Sequence, residues 1–135
     1  YFKPMTYMNL SGDAVSKFVH FHKIPLTQIC VFHDDLDLKA GQMKLKFEGG
    51  TAGQKGLTDI VLKLNSNQIA RIRLGIGKPQ DPRFEISDFV LSSLSDLEFS
   101  HWNSSIPTLN DAVAEWKKGN LKKAQERINS FKPLE

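Results

Sequence analysis

The sequence predicts an α/β domain with a mixed, largely parallel and twisted sheet flanked by helices. Short runs typical of strands alternate along the chain with segments of helical period, and a glycine-rich turn separates two of them. The 135 residues fit one domain, residues 1–135, and 40% apolar content with nine Phe can build a single core. No internal repeat or interdomain linker interrupts the sequence.

The first helix follows from one apolar face. Asn9 or Ser11 is available as its N-cap, and Pro25 closes the segment. The apolar positions that recur at helical spacing are Leu10, Ala14, Val15, Phe18 and Val19.

Residues 29–33 form an apolar run without alternation, which predicts a strand buried on both faces of a parallel sheet. The run ends in Asp34, Asp35 and Asp37, at the kind of strand end where α/β sheets bind ligands. Oxygen ligands suit Mg²⁺ or Ca²⁺, but an EF-hand loop counted from Asp35 would need Glu where Lys46 stands. We therefore expect no dedicated metal site. The acids either cap backbone amides or, with His33, orient a base or a water.

Residues 42–47 alternate, with Lys44 and Lys46 on one face of a predicted strand. A glycine-rich turn at residues 49–56 precedes an amphipathic helix that carries Leu57, Ile60, Val61 and Leu64. A further alternating strand at residues 71–76 places Arg71 and Arg73 on one face. Four cations on two such strands suit phosphate contacts, although a solvated sheet face is the simpler interpretation. The glycine turn lacks the ending of a P-loop.

The C-terminal part is predicted to be helical. Ser95 and Glu98 have the spacing of a capping box, Pro107 should kink or divide the helix that they open, and Gly119 stops it. Asn120 can cap a last helix whose apolar stripe is Leu121, Ala124, Ile128 and Phe131.

The composition favours a soluble cytoplasmic protein. A single cysteine, Cys30, argues against a disulfide framework and is expected to be a core thiol. No apolar stretch of about 18 residues exists, and no membrane contact is expected. The net charge of +3 is compatible with a polyanionic partner.

Four ordered motifs together resemble the bacterial-type peptidyl-tRNA hydrolase family. They are residues 3–12 (KPMTYMNLSG), residues 33–38 (HDDLDL), the glycine turn from Gly49 to Leu57, and residues 71–79 (RIRLGIGKP), with a continuation at residues 89–91. The resemblance runs over essentially the whole chain. It implies a monomer that hydrolyses, without a cofactor, the ester between peptide and tRNA, and so recycles tRNA from stalled translation.

The resemblance also implies roles for individual residues. Asn9 matches an amide that hydrogen-bonds substrate beside the catalytic centre, and Asp34 matches the carboxylate that orients the catalytic histidine. Tyr7 and Met8 would shape the pocket for the acceptor end of tRNA. Lys46 and Arg73 match a pair that grips tRNA phosphate, with Lys44 assisting.

The chain departs from the family pattern at two places. Gln54 and Lys55 stand in the glycine turn where the family usually has His-Asn, so the hydrogen bonds to substrate should differ. The family's first strand and helix, which carry an asparagine and the catalytic histidine, have no counterpart in these residues. We therefore expect an N-terminally truncated chain with little activity and doubtful independent folding. The alternative function is that of a non-catalytic RNA-binding relative with the same fold.

Overall fold

The computed structural model describes residues 1–133, which form five α-helices and three strands. The helices are α1 (Ser11–Phe21), α2 (Lys55–Leu64), α3 (Ile86–Val90), α4 (Asp96–Lys117) and α5 (Leu121–Ser130), with 3₁₀ turns at Met8–Leu10 and Leu26–Gln28. The strands are β1 (Cys30–Asp35), β2 (Met43–Lys46) and β3 (Ala70–Gly75), in a mixed sheet with the order β1-β3-β2. The predicted α/β class is confirmed.

The chain divides into two compact units, each of which contributes part of every strand. Unit 1 comprises residues 1–33 and 46–72, and unit 2 comprises residues 34–45 and 73–135. None of the helices in the described part of the chain is long and apolar enough to cross a membrane.

The core of unit 1 lies between α1 and α2. Val15, Val19, Ile60 and Ile69 are its buried side chains. The two helices approach closely at Gly12, whose N–H donates to the Asp59 carboxylate at 2.7 Å. A Cβ at Gly12 would lie 2.3 Å from the Asp59 carbonyl oxygen, so the approach requires glycine.

The start of α1 differs from the prediction. The N-cap is Leu10, without a side-chain cap, and neither Asn9 nor Ser11 takes that position. The Ser11 hydroxyl is instead engaged one turn back, donating to the Met8 carbonyl oxygen at 2.7 Å. The preceding 3₁₀ turn therefore satisfies backbone groups that a side-chain cap would otherwise serve.

Strand β1 is not buried on both faces, contrary to the prediction. Ile29 and Val31 pack against the unit 1 core, whereas Phe32, on the opposite face, is 39% exposed. The residues that the structure describes cover one face of this strand. Cys30 is half-buried, and burial raises the pKa of its thiol to about 12, which keeps the thiol protonated and unreactive.

In unit 2, α5 covers the backbone of β2, an outer strand of the sheet. The Asn129 side chain accepts from Leu45 N at 2.8 Å, and the Gln125 amide donates to Leu45 O at 3.0 Å. Side chains thus take the place of a further strand at this edge. The buried apolar residues of the unit include Leu38, Met43, Leu45, Ala112, Ala124 and Ile128.

Helix α4 has the predicted capping box at Ser95 and Glu98. It runs unbroken through Pro107, so of the two predicted outcomes, a kink or a division, the division was wrong. A proline removes a single backbone donor, and the flanking turns continue the helix on both sides. Gly119, with φ of +83°, follows the end of the helix as predicted. Asn120 is the N-cap residue of α5 but makes no side-chain cap bond, and its amide donates to Glu115 at 2.8 Å.

Candidate functional site

Residues 7–9 of unit 1 form a turn that a backbone hydrogen bond closes, and their side chains face solvent. Leu10 N donates to the Tyr7 carbonyl oxygen at 2.9 Å, which closes the turn. Tyr7 and Met8 are 82% and 58% exposed, and Asn9 is exposed as well. A hydrogen-bonded turn with accessible aromatic, thioether and amide groups is suited to receive a flat, polar ligand.

Gln54 joins this turn to the start of α2. Its side-chain oxygen accepts from Leu57 N at 2.7 Å and so caps the helix. Its amide nitrogen lies 3.3 Å from the Met8 sulfur, in hydrogen-bond geometry. A Cβ at Gly56 would lie 2.6 Å from the same sulfur. Unit 1 therefore brings together Met8 and Gln54, two predicted substrate contacts separated by 46 residues.

Lys55 occupies the first position of α2 and is exposed. Because the helix dipole is positive at this end, a cation here is unfavourable by a few tenths to about 1 kcal/mol. An anionic ligand near the same helix start would offset that cost.

Arg71 does not belong to an exposed basic face. Its side chain is 1% exposed, and the guanidinium donates to carbonyl oxygens of the glycine turn and of the loop before β3. The distances are 2.7 Å to Gly49, 2.9 Å to Gly50 and 2.5 Å to Asn67. The prediction that Arg71 shares a solvent-facing cationic face with Arg73 was wrong, because backbone acceptors left without strand partners bind it instead.

Strand β2 has the predicted alternation. Met43 and Leu45 are buried at 3% and 1% exposure, whereas Lys44 and Lys46 are exposed. The two ammonium groups therefore leave the same face of the strand.

Unit 2 holds Asp34, the predicted catalytic carboxylate, and Arg73, the second of the two predicted phosphate contacts. Asp34 is half-buried at the end of β1. Its neighbour Asp35 is 4% exposed and accepts from Arg73 Nε in an ion pair, and also from Asp37 N at 2.8 Å. Since successive residues of a strand point to opposite faces, the side chains of Asp34 and Asp35 lie in different surroundings. Arg73 thus carries a charge that a buried carboxylate already balances.

The four histidines lie in different environments. His20 and His22 are exposed in and just after α1, and His101 is half-buried on α4. His33 is 6% exposed on β1, and its side chain leaves the opposite face of the strand from that of Asp34. This alternation argues against Asp34 orienting His33 as a base.

Sequence reasoning missed the roles of Arg71 and Asp35. The acceptors of Arg71 are backbone carbonyls, which carry no residue-specific signal. The partner of Asp35 lies 38 positions along the chain, and only the pairing of two strands brings the two together. For Arg71, the available signal was an arginine at a position of an alternating strand that faces the protein interior.

A protein-family model described as peptidyl-tRNA hydrolase matches residues 1–135. The peptidyl-tRNA hydrolase of Lawsonia intracellularis is 41% identical over 129 residues, which are 96% of this chain and 64% of the relative. That of Rhodopirellula baltica is 39% identical over 127 residues, 94% of this chain and 66% of the relative. The chain thus spans slightly less than two thirds of the length of these relatives.

The fold agrees with solved structures of the same name. The crystal structure of peptidyl-tRNA hydrolase from Acinetobacter baumannii superposes with a TM-score of 0.89 at 36% identity, over 97% of this chain and 66% of that one. A family match along all 135 residues and a likeness in both sequence and fold lead to one conclusion. The chain belongs to the peptidyl-tRNA hydrolase family.

Proposed function

We propose that this protein hydrolyses the ester between the peptide and the terminal ribose of peptidyl-tRNA. Water adds to the ester carbonyl, and the bond to the ribose oxygen breaks. One proton of the water goes to that oxygen and the other to solvent, so that a tRNA hydroxyl and a peptide carboxylate are released. Such a reaction needs an activated water, a positioned carbonyl and cations that hold the nucleic acid. Residues 1–135 would form one domain of this enzyme, which would act as a cytoplasmic monomer without a cofactor.

The observation that carries the proposal is the contact of Met8 with Gln54 and Gly56. It joins the turn of residues 7–9 to the glycine turn, the two segments that the family resemblance assigns to substrate binding. In our proposal Asn9 donates to the substrate carbonyl, while Tyr7 and Met8 receive the acceptor end by stacking and apolar contact.

Gln54 and Lys55 should change how substrate is held. The Gln54 oxygen is engaged in capping α2, so Gln54 would serve chiefly by fixing Met8 and the helix start. Lys55 would add a phosphate-seeking charge at the same end of the helix.

Asp34 is proposed to orient a histidine base. None of the four histidines lies in the motif that the resemblance assigns to that base, and His33 leaves the wrong face of β1. We therefore expect residues 1–135 alone to show little turnover, since a general base typically supplies about 10²–10⁴-fold in rate.

The test is turnover of peptidyl-tRNA by the full chain and by its Asp34→Asn and Asn9→Ala variants. We expect each variant to lose about 10²-fold or more in kcat/KM. The matched control is Asp37→Asn, which changes a 62% exposed carboxylate of the same motif and should keep near-normal turnover. Tight tRNA binding without turnover by the unaltered full chain would favour the non-catalytic RNA-binding alternative.

A further inference from the structure

The glycine turn has an orientation that its backbone hydrogen bonds impose. Arg71 Nη1 binds the carbonyl oxygens of Gly49 and Gly50, at 2.7 and 2.9 Å. In a trans peptide the N–H of the next residue points opposite to the carbonyl, and the chain has no cis peptide bond. The N–H groups of Gly50 and Thr51 therefore both point away from the guanidinium.

The space around Gly49 and Gly50 is open. Gly50 is exposed, and a Cβ at either Gly49 or Gly50 would meet no atom within 4 Å. In the part of the chain that the structure describes, neither Gly50 N nor Thr51 N donates to a protein acceptor. Two adjacent backbone donors facing one open side form the kind of concavity that binds anions.

The charge behind the turn has the matching sign. Arg71 is 1% exposed, and no carboxylate oxygen within residues 1–133 lies within 4.0 Å of it. Carbonyl dipoles solvate the guanidinium without cancelling its unit charge. Burial also lowers the pKa of Arg71, yet a guanidinium stays protonated at any physiological pH. A fixed positive charge therefore backs the two outward N–H groups.

Two exposed lysines flank the turn in sequence. Lys46 ends β2 just before it and Lys55 begins α2 just after it, both within unit 1. A second tie steadies the turn, because the Thr58 hydroxyl donates to the Thr51 hydroxyl at 2.8 Å. Hydrogen bonds from Arg71 and Thr58 thus hold the turn, and the exposed Gly50 keeps it accessible to a ligand.

We propose that the N–H groups of Gly50 and Thr51 form a phosphate-binding site, and that Arg71 is the positioning residue that builds it. The site differs from a P-loop, because the cation stands behind the backbone and never touches the phosphate. The preferred source is a phosphodiester of RNA, a choice that rests on the proposed function. The site itself rests on the geometry of the turn.

The first experiment is a titration of the full chain with inorganic phosphate at constant ionic strength, followed by amide NMR. We expect the Gly50 and Thr51 amide protons to move downfield and saturate, as for donors that acquire a charged acceptor. A second arm adds an RNA hairpin of unrelated sequence. The same shifts with the hairpin identify a nucleic-acid phosphate as the source, and shifts with free phosphate alone identify the ion. Neither ligand moving these two signals would overturn the proposal.

Arg71→Met and Arg71→Lys test the positioning role. Met removes the donors at similar length, and Lys keeps the charge but cannot span the four carbonyl oxygens that the guanidinium binds. Both variants should therefore weaken phosphate binding by roughly tenfold or more. Unchanged phosphate affinity in a folded Arg71→Met variant would contradict the proposal.

A second pair of variants, at position 51, tests the site if substitutions of Arg71 prevent folding. Thr51→Pro removes one of the two N–H donors, whereas its matched control Thr51→Ala removes only the hydroxyl. Phosphate binding should fall by about tenfold in the first and by clearly less in the second, which keeps both N–H donors and loses only the tie to Thr58. Equal binding by the two would overturn the site. If peptidyl-tRNA turnover persists but phosphate shifts neither the Gly50 nor the Thr51 amide signal, this site is rejected and the proposed function is retained.

Discussion

Gly12 shows how one hydrogen atom in place of a methyl group sets the distance between two helices. Its N–H reaches the Asp59 carboxylate at 2.7 Å, while the space for a Cβ is already filled by Asp59 backbone atoms. The turn of residues 7–9 continues directly into this end of α1, so the position of the candidate substrate contacts depends on that approach.

We expect Gly12→Ala to lower the free energy of unfolding by about 1–3 kcal/mol, because the added methyl forces α1 away from α2. Urea denaturation of the full chain measures the loss. Gly50→Ala is the matched control, since its Cβ would meet nothing within 4 Å, and it should shift stability far less. Equal losses in the two variants would contradict this explanation, because a Cβ at Gly50 makes no contact like the one with Asp59.

Asp35 and Arg73 form an ion pair whose side chains are 1% and 16% exposed. Asp35→Asn should cost about 3 kcal/mol, because it leaves the guanidinium without its counter-charge. The residual exposure of Arg73 keeps the loss at the lower end of the range of about 3–5 kcal/mol for buried pairs. Asp37→Asn breaks a pair that is more than 60% exposed on both sides and should cost under about 1 kcal/mol. Denaturant midpoints compare the two, and a larger loss at Asp37 would refute the burial argument.

At the scale of elements, sequence patterns predicted those parts of the fold that depend on local chemistry. The alternation of β2, the helix after the glycine turn and the capping box of α4 all follow from spacing along the chain. The errors occurred where tertiary surroundings decide. Neither the one-sided cover of β1 nor the unbroken passage of α4 through Pro107 has a local signal.

The same distinction applies to the candidate site. Exposure of Lys44 and Lys46 followed from period-two alternation, whereas the burial of Arg71 depends on carbonyl oxygens 21 and 22 positions earlier in the chain. Alternation places side chains on a face, but only the sheet and the loops decide whether that face meets solvent or backbone.

The junction of α4 and α5 should add a pH-dependent contribution to stability. Hydrogen bonds from Asn120 and then Lys123 lower the pKa of Glu115 below its usual value of 4.5. A lowered pKa in the folded state stabilises the fold above the unfolded-state pKa, and this contribution is lost as the pH falls through the folded-state value. The stability gap between the unaltered chain and Glu115→Gln should therefore narrow below about pH 4.5. Urea midpoints between pH 3 and 7 measure this gap, and Glu126→Gln, which removes an exposed ion pair, is the control variant.

At the scale of the whole molecule, the excess of basic residues is small. The formal net charge is +3 and the pI is about 9.0, values that many enzymes share without binding nucleic acid. The sum of charges therefore cannot account for tRNA binding, and placement must supply it. Within residues 1–133, three cations of the candidate site are exposed and make no ion pair, namely Lys44 and Lys46 on one face of β2 and Lys55 at the start of α2.

Charge reversal separates placement from net charge. Lys46→Glu and Lys122→Glu each lower the net charge by two, but Lys122 lies on α5 with its side chain 91% exposed. If Lys46 contacts a tRNA phosphate, only its reversal should weaken binding by about tenfold or more. It should also reduce the slope of log affinity against log salt concentration by about 0.7–0.9, the share of one released counterion. Fluorescence anisotropy with labelled tRNA at several salt concentrations gives both quantities. Equal loss in the two variants, with parallel slopes, would mean that long-range attraction alone drives binding and that Lys46 makes no phosphate contact.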